Sequence, residues 1–154
     1  MVRVRIVVDD LTGPEILALL EEHLAEMRAT TPPESKHALD LPALRAPEVT
    51  FWSVWDDDTL VGCGAVKRLE ETHAEVKSMR TTQGRQGTGI GSALLAHMVD
   101  EARSMGFTRL SLETGSGEFF ERARRLYTRF GFEYCDPFGE YKPDPLSVFM
   151  TRTL

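Results

Sequence analysis

The order of elements along this chain predicts an α/β fold: a mixed, mostly antiparallel twisted sheet of about seven strands with helices on both faces. Three observations carry that expectation. Residues 49 to 80 read as three consecutive strands joined by tight turns. Beyond them, strands alternate with amphipathic helices. Between the two halves, Gly87, Gly89 and Gly91 mark a turn from strand into helix.

Val2 to Val8 alternates apolar and charged residues, as a half-buried strand does. A helix follows, with Thr12 as its cap, Pro14-Glu15 in its first turn, and an apolar stripe of Ile16, Leu17, Leu20, Leu24 and Met27. Pro32, Pro33, Pro42 and Pro47 break up the next segment and keep any helical pieces short. Val49–Trp55 and Leu60–Arg68 form a hairpin around the acidic turn Asp56-Asp57-Asp58, and Ala74–Arg80 adds the third strand. After the glycine turn, Ile90, Leu94, Leu95, Met98, Val99 and Ala102 share one helical face, and Gly106 ends that helix. Arg109–Glu113 is a short strand. Glu118–Arg129 is a helix with acids early and arginines late, as the helix dipole favours. Phe132–Cys135 and Ser147–Thr151 are the last strands, separated by a loop bearing Phe138, Tyr141 and Pro143-Asp144-Pro145. Without repeats, low-complexity tracts or a boundary signal, the 154 residues are expected to form one domain, 1–154.

Composition narrows the function classes. An apolar fraction of 42% with 27% charged residues is that of an ordinary globular protein. No apolar run reaches the roughly 20 residues of a membrane span, and the N-terminus lacks a signal-peptide core, so no membrane partner and a cytoplasmic location are expected. A net charge of −6 argues against a nucleic-acid partner and suits a cationic, amine-bearing substrate. Cys63 and Cys135 lie far apart in apolar runs and read as buried fillers. No His/Cys/Asp cluster has metal-ligand spacing, so no metal is expected. There is no G-x-S-x-G elbow to support a Ser-His-Asp reading.

The glycine turn is a phosphate site by its physics. Without Cβ atoms, its backbone N–H groups can converge on one anion, where the helix dipole adds partial positive charge. A dinucleotide fingerprint would need G-x-G-x-x-G near the start of its domain, and a P-loop would need Gly-Lys-Ser/Thr. Neither is present. Gln86-x-x-Gly89-x-Gly91 resembles instead the Gln/Arg-x-x-Gly-x-Gly/Ala pyrophosphate loop of the GCN5-related N-acetyltransferases (GNAT). A second match, Ala123-x-x-Leu126-Tyr127-x-x-Phe130-Gly131-Phe132, is similar to that family's helix-to-strand signature. Pro32-Pro33-Glu34-Ser35, Thr50-Phe51-Trp52-Ser53, Leu112-Glu113-Thr114-Gly115-Ser116 and Asp144 to Met150 resemble a bacterial subgroup of it, the YsnE-like proteins.

The resemblance spans nearly the whole chain and implies the GNAT fold, acetyl-CoA as cofactor, and acetyl transfer to a primary amine of a small molecule, peptide or protein by direct attack on the thioester. It also implies a homodimer. Gln86, Gly87, Thr88, Gly89, Ile90, Gly91 and Ser92 would hold the pyrophosphate, with Arg80 or Arg85 near a phosphate. Met79 and Thr81 would offer main-chain contacts to the pantetheine arm, a Met79 N–H facing the thioester carbonyl. Glu75, eleven positions before Gln86, keeps the offset of the catalytic glutamate in the family's histone-acetylating founder and is the general-base candidate. Its alternative is a strand-edge acid paired with a Lys or Arg. Strand alternation would put Glu75, Lys77 and Met79 on one face. Tyr127 is the general-acid candidate, a phenol of pKa about 10 suited to protonating a thiolate; its alternative is a core tyrosine. Many family members carry a cofactor-touching Asn where this chain has Phe120. Glu34, His37, Trp52, Glu113 and Tyr141 are the acceptor-binding candidates, with at least one of Trp52 and Trp55 expected in the core. A domain of the same fold that binds acyl-CoA without transfer is the alternative function; Glu75 and Tyr127 together favour the enzyme.

Overall fold

The computed structural model describes residues 3–30 and 41–154. Among the described residues seven strands form one sheet: β1 (Arg5–Val8), β2 (Val49–Asp56), β3 (Thr59–Arg68), β4 (His73–Thr81), β5 (Arg109–Gly115), β6 (Glu133–Cys135) and β7 (Ser147–Thr153). Their spatial order is β1-β2-β3-β4-β5-β7-β6. Every neighbouring pair is antiparallel except β4 with β5. The helices are α1 (Pro14–Thr30), the single turn α2 (Leu41–Leu44), α3 (Ile90–Ser104) and α4 (Glu121–Arg129), the last entered through a 3₁₀ turn at Glu118–Phe120.

Two cores lie on opposite faces of the sheet. On one, α3 buries all six residues of its expected stripe, and α4 contributes Tyr127, with Ala123 and Leu126 packed alongside. On the other, α1 buries Ile16, Leu19 and Leu20 against Phe51, Leu60, Cys63 and Ala65. Each fully buried Leu, Ile, Val, Met or Phe among them is worth about 1.5–3 kcal/mol of transfer free energy, which is what fixes these helices to the sheet. Thr12, expected as a helix cap, turns its hydroxyl back onto Asp10 at 2.6 Å. Among the described residues no helix is long and apolar enough to cross a membrane.

One parallel pairing shapes the site. β4 and β5 are in register only over His73–Glu75 and Arg109–Ser111. Beyond that point β5 stays with β7 as far as Gly115, while β4 stays with β3 as far as Thr81. The sheet therefore opens between Val76 and Leu112, leaving backbone groups on facing strand edges without a sheet partner there. A second irregularity lies inside β4. Ser78 adopts φ 56° and the β3–β4 register slips between Cys63 and Ala65, the signature of a bulge. The bulge changes the parity of the strand. Lys77 pairs with Ala65 and Arg80 with Cys63, so both face α1, as does Glu75; Val76 and Met79 pack into the α3 core. Plain alternation, which would put Met79 on the Glu75 face, is thereby corrected.

Candidate active site

The glycine turn reaches α3 through two left-handed residues, Gly87 (φ 77°) and Gly89 (φ 92°), the second being the helix N-cap. A side chain at either position would be strained. The Thr88 hydroxyl bonds to the Arg85 carbonyl and fixes the turn. The first-turn amides of α3, at Ile90, Gly91 and Ser92, have no intrahelical acceptor. The Ile90 side chain is buried, so only its backbone is presented. Gly91 is a close approach: a Cβ there would lie 3.2 Å from Leu126 Cδ2, 3.8 Å from Met79 Cε and 4.0 Å from Thr81 Oγ1. Met79, Thr81 and the loop are thus brought together at the mouth of the β4–β5 opening.

Tyr127 completes that cluster. Its hydroxyl points at Met79 Sδ, 3.9 Å away, and its ring packs edge-on against Phe132 at 5.9 Å between centroids. Burial, then the nearby Glu113 charge, pushes the phenol up to about 12. It is therefore protonated throughout the neutral range, and its acidity lies further from that of a thiol than an ordinary phenol's would.

Glu75 sits on the other face, at the last position of β4 that pairs with β5, 3% exposed. Its Oε2 accepts a hydrogen bond from the Tyr141 hydroxyl at 2.5 Å, and Lys77 Nζ lies 3.6 Å away. The ion pair of the alternative, strand-edge reading is thus present at Glu75. Tyr141 belongs to an aromatic cover over this face. Its ring centroid is 5.2 Å from that of Phe138 and 5.5 Å from that of Phe149, and Phe138 reaches His73 at 5.9 Å. Burial, then the Glu75 charge, pushes the Tyr141 phenol far above its usual range. Glu113 on β5 is aligned with Phe149 on β7, and its charge raises the phenols of both Tyr127 and Tyr141.

Three expectations need correction or setting aside. Arg80 does not turn its guanidinium towards a phosphate. It is 8% exposed and bonds to Glu22 at 2.8 Å and to both carboxylate oxygens of Glu26 on α1. The Ser78 bulge is the reason, since it aims residue 80 at α1. Arg85 is likewise held, by Asp56 at 2.7 Å. Trp52 is 1% exposed in the α3 core, edge-on to His97, and cannot touch an acceptor. Glu34 and His37 lie outside the described residues.

Sequence reading missed Lys77 and Phe138 as parts of the site, although Lys77 was legible as the same-face neighbour of Glu75. It also missed what Phe120 does. The Phe120 ring lies over Gly115, where a Cβ would come within 2.0 Å of Cδ2. Phe120 therefore covers the end of β5.

The sequence profile of the Acetyltransferase (GNAT) family matches residues 16–132. The chain is 53% identical over 147 residues to the uncharacterized N-acetyltransferase YsnE of Bacillus subtilis, covering 96% of this chain and 97% of that one. A Klebsiella pneumoniae structure assigned to the acyl-CoA N-acyltransferases superposes with TM-score 0.79 at 32% identity over 98% of this chain and 97% of its own. A Bacillus subtilis acetyltransferase in complex with CoA shares the fold, with TM-score 0.74 at 18% identity over 99% of each chain. An acetyltransferase family, N-acetyltransferase relatives and an acyl-CoA N-acyltransferase fold set aside the domain that binds without transfer: the chain belongs to the GNAT acetyltransferases.

Proposed function

We propose that this chain, acting as one domain over residues 1–154, transfers the acetyl group of acetyl-CoA to a primary amine of a small molecule, peptide or protein. The observation that carries the reading is the sheet opening after Glu75 and Ser111, which has the glycine loop, Met79 and Tyr127 at one side and Glu75 at the other. The residues fit acetyl-CoA. Two left-handed glycines free the loop amides for a pyrophosphate, and the absent side chain at Gly91 keeps the space beside Met79 and Thr81 clear.

When bound, acetyl-CoA supplies an activated carbonyl and a thiolate leaving group. Gln86 to Ser92 would hold its phosphates, and the backbone edge of β4 at Met79 and Thr81 would orient its pantetheine arm. Glu75 Oε takes the proton that the attacking amine must lose; the Tyr141 hydroxyl and Lys77 keep that carboxylate in place. Tyr127 Oη, beside Met79, would hold the proton that the departing CoA thiolate requires. Glu113 adds negative charge that favours a cationic acceptor, under the Phe138–Tyr141–Phe149 cover. A cytoplasmic location and a homodimer belong to the same reading; the latter is checked by light scattering at assay concentration.

The test of the cofactor assignment is calorimetric titration with acetyl-CoA of wild type and Gly89→Glu. The variant places a carboxylate where the pyrophosphate would lie. Wild type should bind and the variant should not. Equal affinity would remove the loop from the site.

A further inference from the structure

Helix α4 lies along the glycine loop through two residues one turn apart. Leu126 packs where a Cβ on Gly91 would fall at 3.2 Å, and Arg122 reaches Gly87, where a Cβ would lie 3.5 Å from Nη1 and 4.0 Å from Cζ. Positions i and i+4 share a helix face, so Arg122 and Leu126 form one ridge against the loop. Leu126 enters the core, while Arg122 is exposed and ends over the turn.

The other arginines near this region are engaged. Arg124 donates to the carbonyls of Gly115 at 2.7 Å and Gly117 at 2.8 Å, Arg125 to Glu121 at 2.6 Å, and Arg85 to Asp56 at 2.7 Å. Arg122 makes neither a hydrogen bond nor an ion pair with any described residue. Its position is also electrostatically unfavourable in the protein alone. The start of α3 carries the positive end of the helix dipole, where a cation is repelled and an anion attracted. A guanidinium beside converging amides and a dipole of the same sign is stabilised when an anion lies between them.

We propose that Arg122 is a phosphate clamp, ion-pairing the pyrophosphate of the acyl-CoA that the loop amides also hold. A planar guanidinium can grip phosphate oxygens in bidentate fashion, which an amide cannot. The inference rests on the loop reading above, and the experiment separates the two.

Affinities for CoA, 3′-dephospho-CoA and pantetheine are measured by calorimetry for wild type, Arg122→Ala, Arg122→Lys and Gly89→Glu. Arg122→Ala should weaken CoA and 3′-dephospho-CoA alike by roughly tenfold or more and leave pantetheine unchanged, with Lys restoring part of the loss. Unchanged CoA affinity in Arg122→Ala, while Gly89→Glu loses binding, overturns the clamp and leaves the loop standing. A loss with CoA alone puts the guanidinium at the 3′-phosphate, and an equal loss with pantetheine makes its role structural; both overturn the proposal. Wild-type affinity in Gly89→Glu removes the loop site and the clamp together.

Discussion

The Tyr141 hydroxyl donates to Glu75 Oε2 at 2.5 Å, joining the loop before β7 to the strand that borders the sheet opening. The ring that carries it is wedged between Phe138 and Phe149. Because burial and the carboxylate both hold that phenol well above its usual range, Tyr141 remains the donor and Glu75 the acceptor. A carboxylate fixed in this way has one oxygen committed to a donor and can offer the other to an incoming amine.

Glu75→Gln keeps an oxygen for Tyr141 but cannot take up the amine proton. We expect kcat to fall by roughly 10²-fold or more, in the range of a lost general base, with acetyl-CoA affinity unchanged. Steady-state rates on the best acceptor, paired with calorimetry, check this. Wild-type kcat would make Glu75 a structural partner of Tyr141 and Lys77.

Tyr127→Phe removes a hydroxyl whose contact is the Met79 sulfur at 3.9 Å, a weak acceptor. Stability should therefore change by less than about 1 kcal/mol. Thiol release should slow by roughly 10²-fold, while cofactor affinity stays within a factor of about two. Release at the wild-type rate would rule out Tyr127 as the acid.

Gly115 and Phe120 should behave as a matched pair. A Cβ at 115 falls 2.0 Å from the ring, so Gly115→Ala must displace Phe120 at a cost of about 1–3 kcal/mol. The double variant with Phe120→Ala relieves the clash, and a double-mutant cycle by urea unfolding should show coupling of about 1 kcal/mol or more. Additive losses would mean that the ring does not rest on Gly115.

His23 predicts an acid sensitivity. Burial, then the Arg80 charge, holds its imidazole at about 4 rather than 6.5. The unfolded chain then binds the proton more readily, so stability declines as pH falls through 6.5 and levels off below about 4. Between about pH 7 and about pH 5 the loss should be about 2 kcal/mol, and His23→Gln should abolish it. Glu26, whose carboxyl Arg80 holds below its usual 4.5, loses its contribution at lower pH and does not obscure this window. An unchanged pH slope in the variant would mean that His23 is solvated.

What was legible in the sequence follows period and motif. The α3 stripe, the three hairpin strands and the left-handed glycines have local physical causes, and they appear where those causes put them. The bulge was not legible. Ser78 takes a positive φ without being Gly, Asn or Asp, so nothing in its type announces the change of parity. That one residue moved Met79 away from the Glu75 face and aimed Arg80 at α1. Trp52 was ambiguous for a related reason: alternation said that Trp52 and Trp55 differ in face, but not which face is covered by α3. The Tyr141–Glu75 bond joins residues 66 positions apart, and local pattern carries no information about such a pairing.

Transfer of the acetyl group from acetyl-CoA to an amine through this opening has a direct readout. It is tested most directly by following thiol release from acetyl-CoA over a panel of small amines and peptides, with wild type and Glu75→Gln side by side. Wild type should release thiol in an amine-dependent way, most strongly with cationic acceptors, and the variant should lose nearly all of that release. Acetyl-CoA binding without release on any amine, or equal release by both proteins, would contradict it.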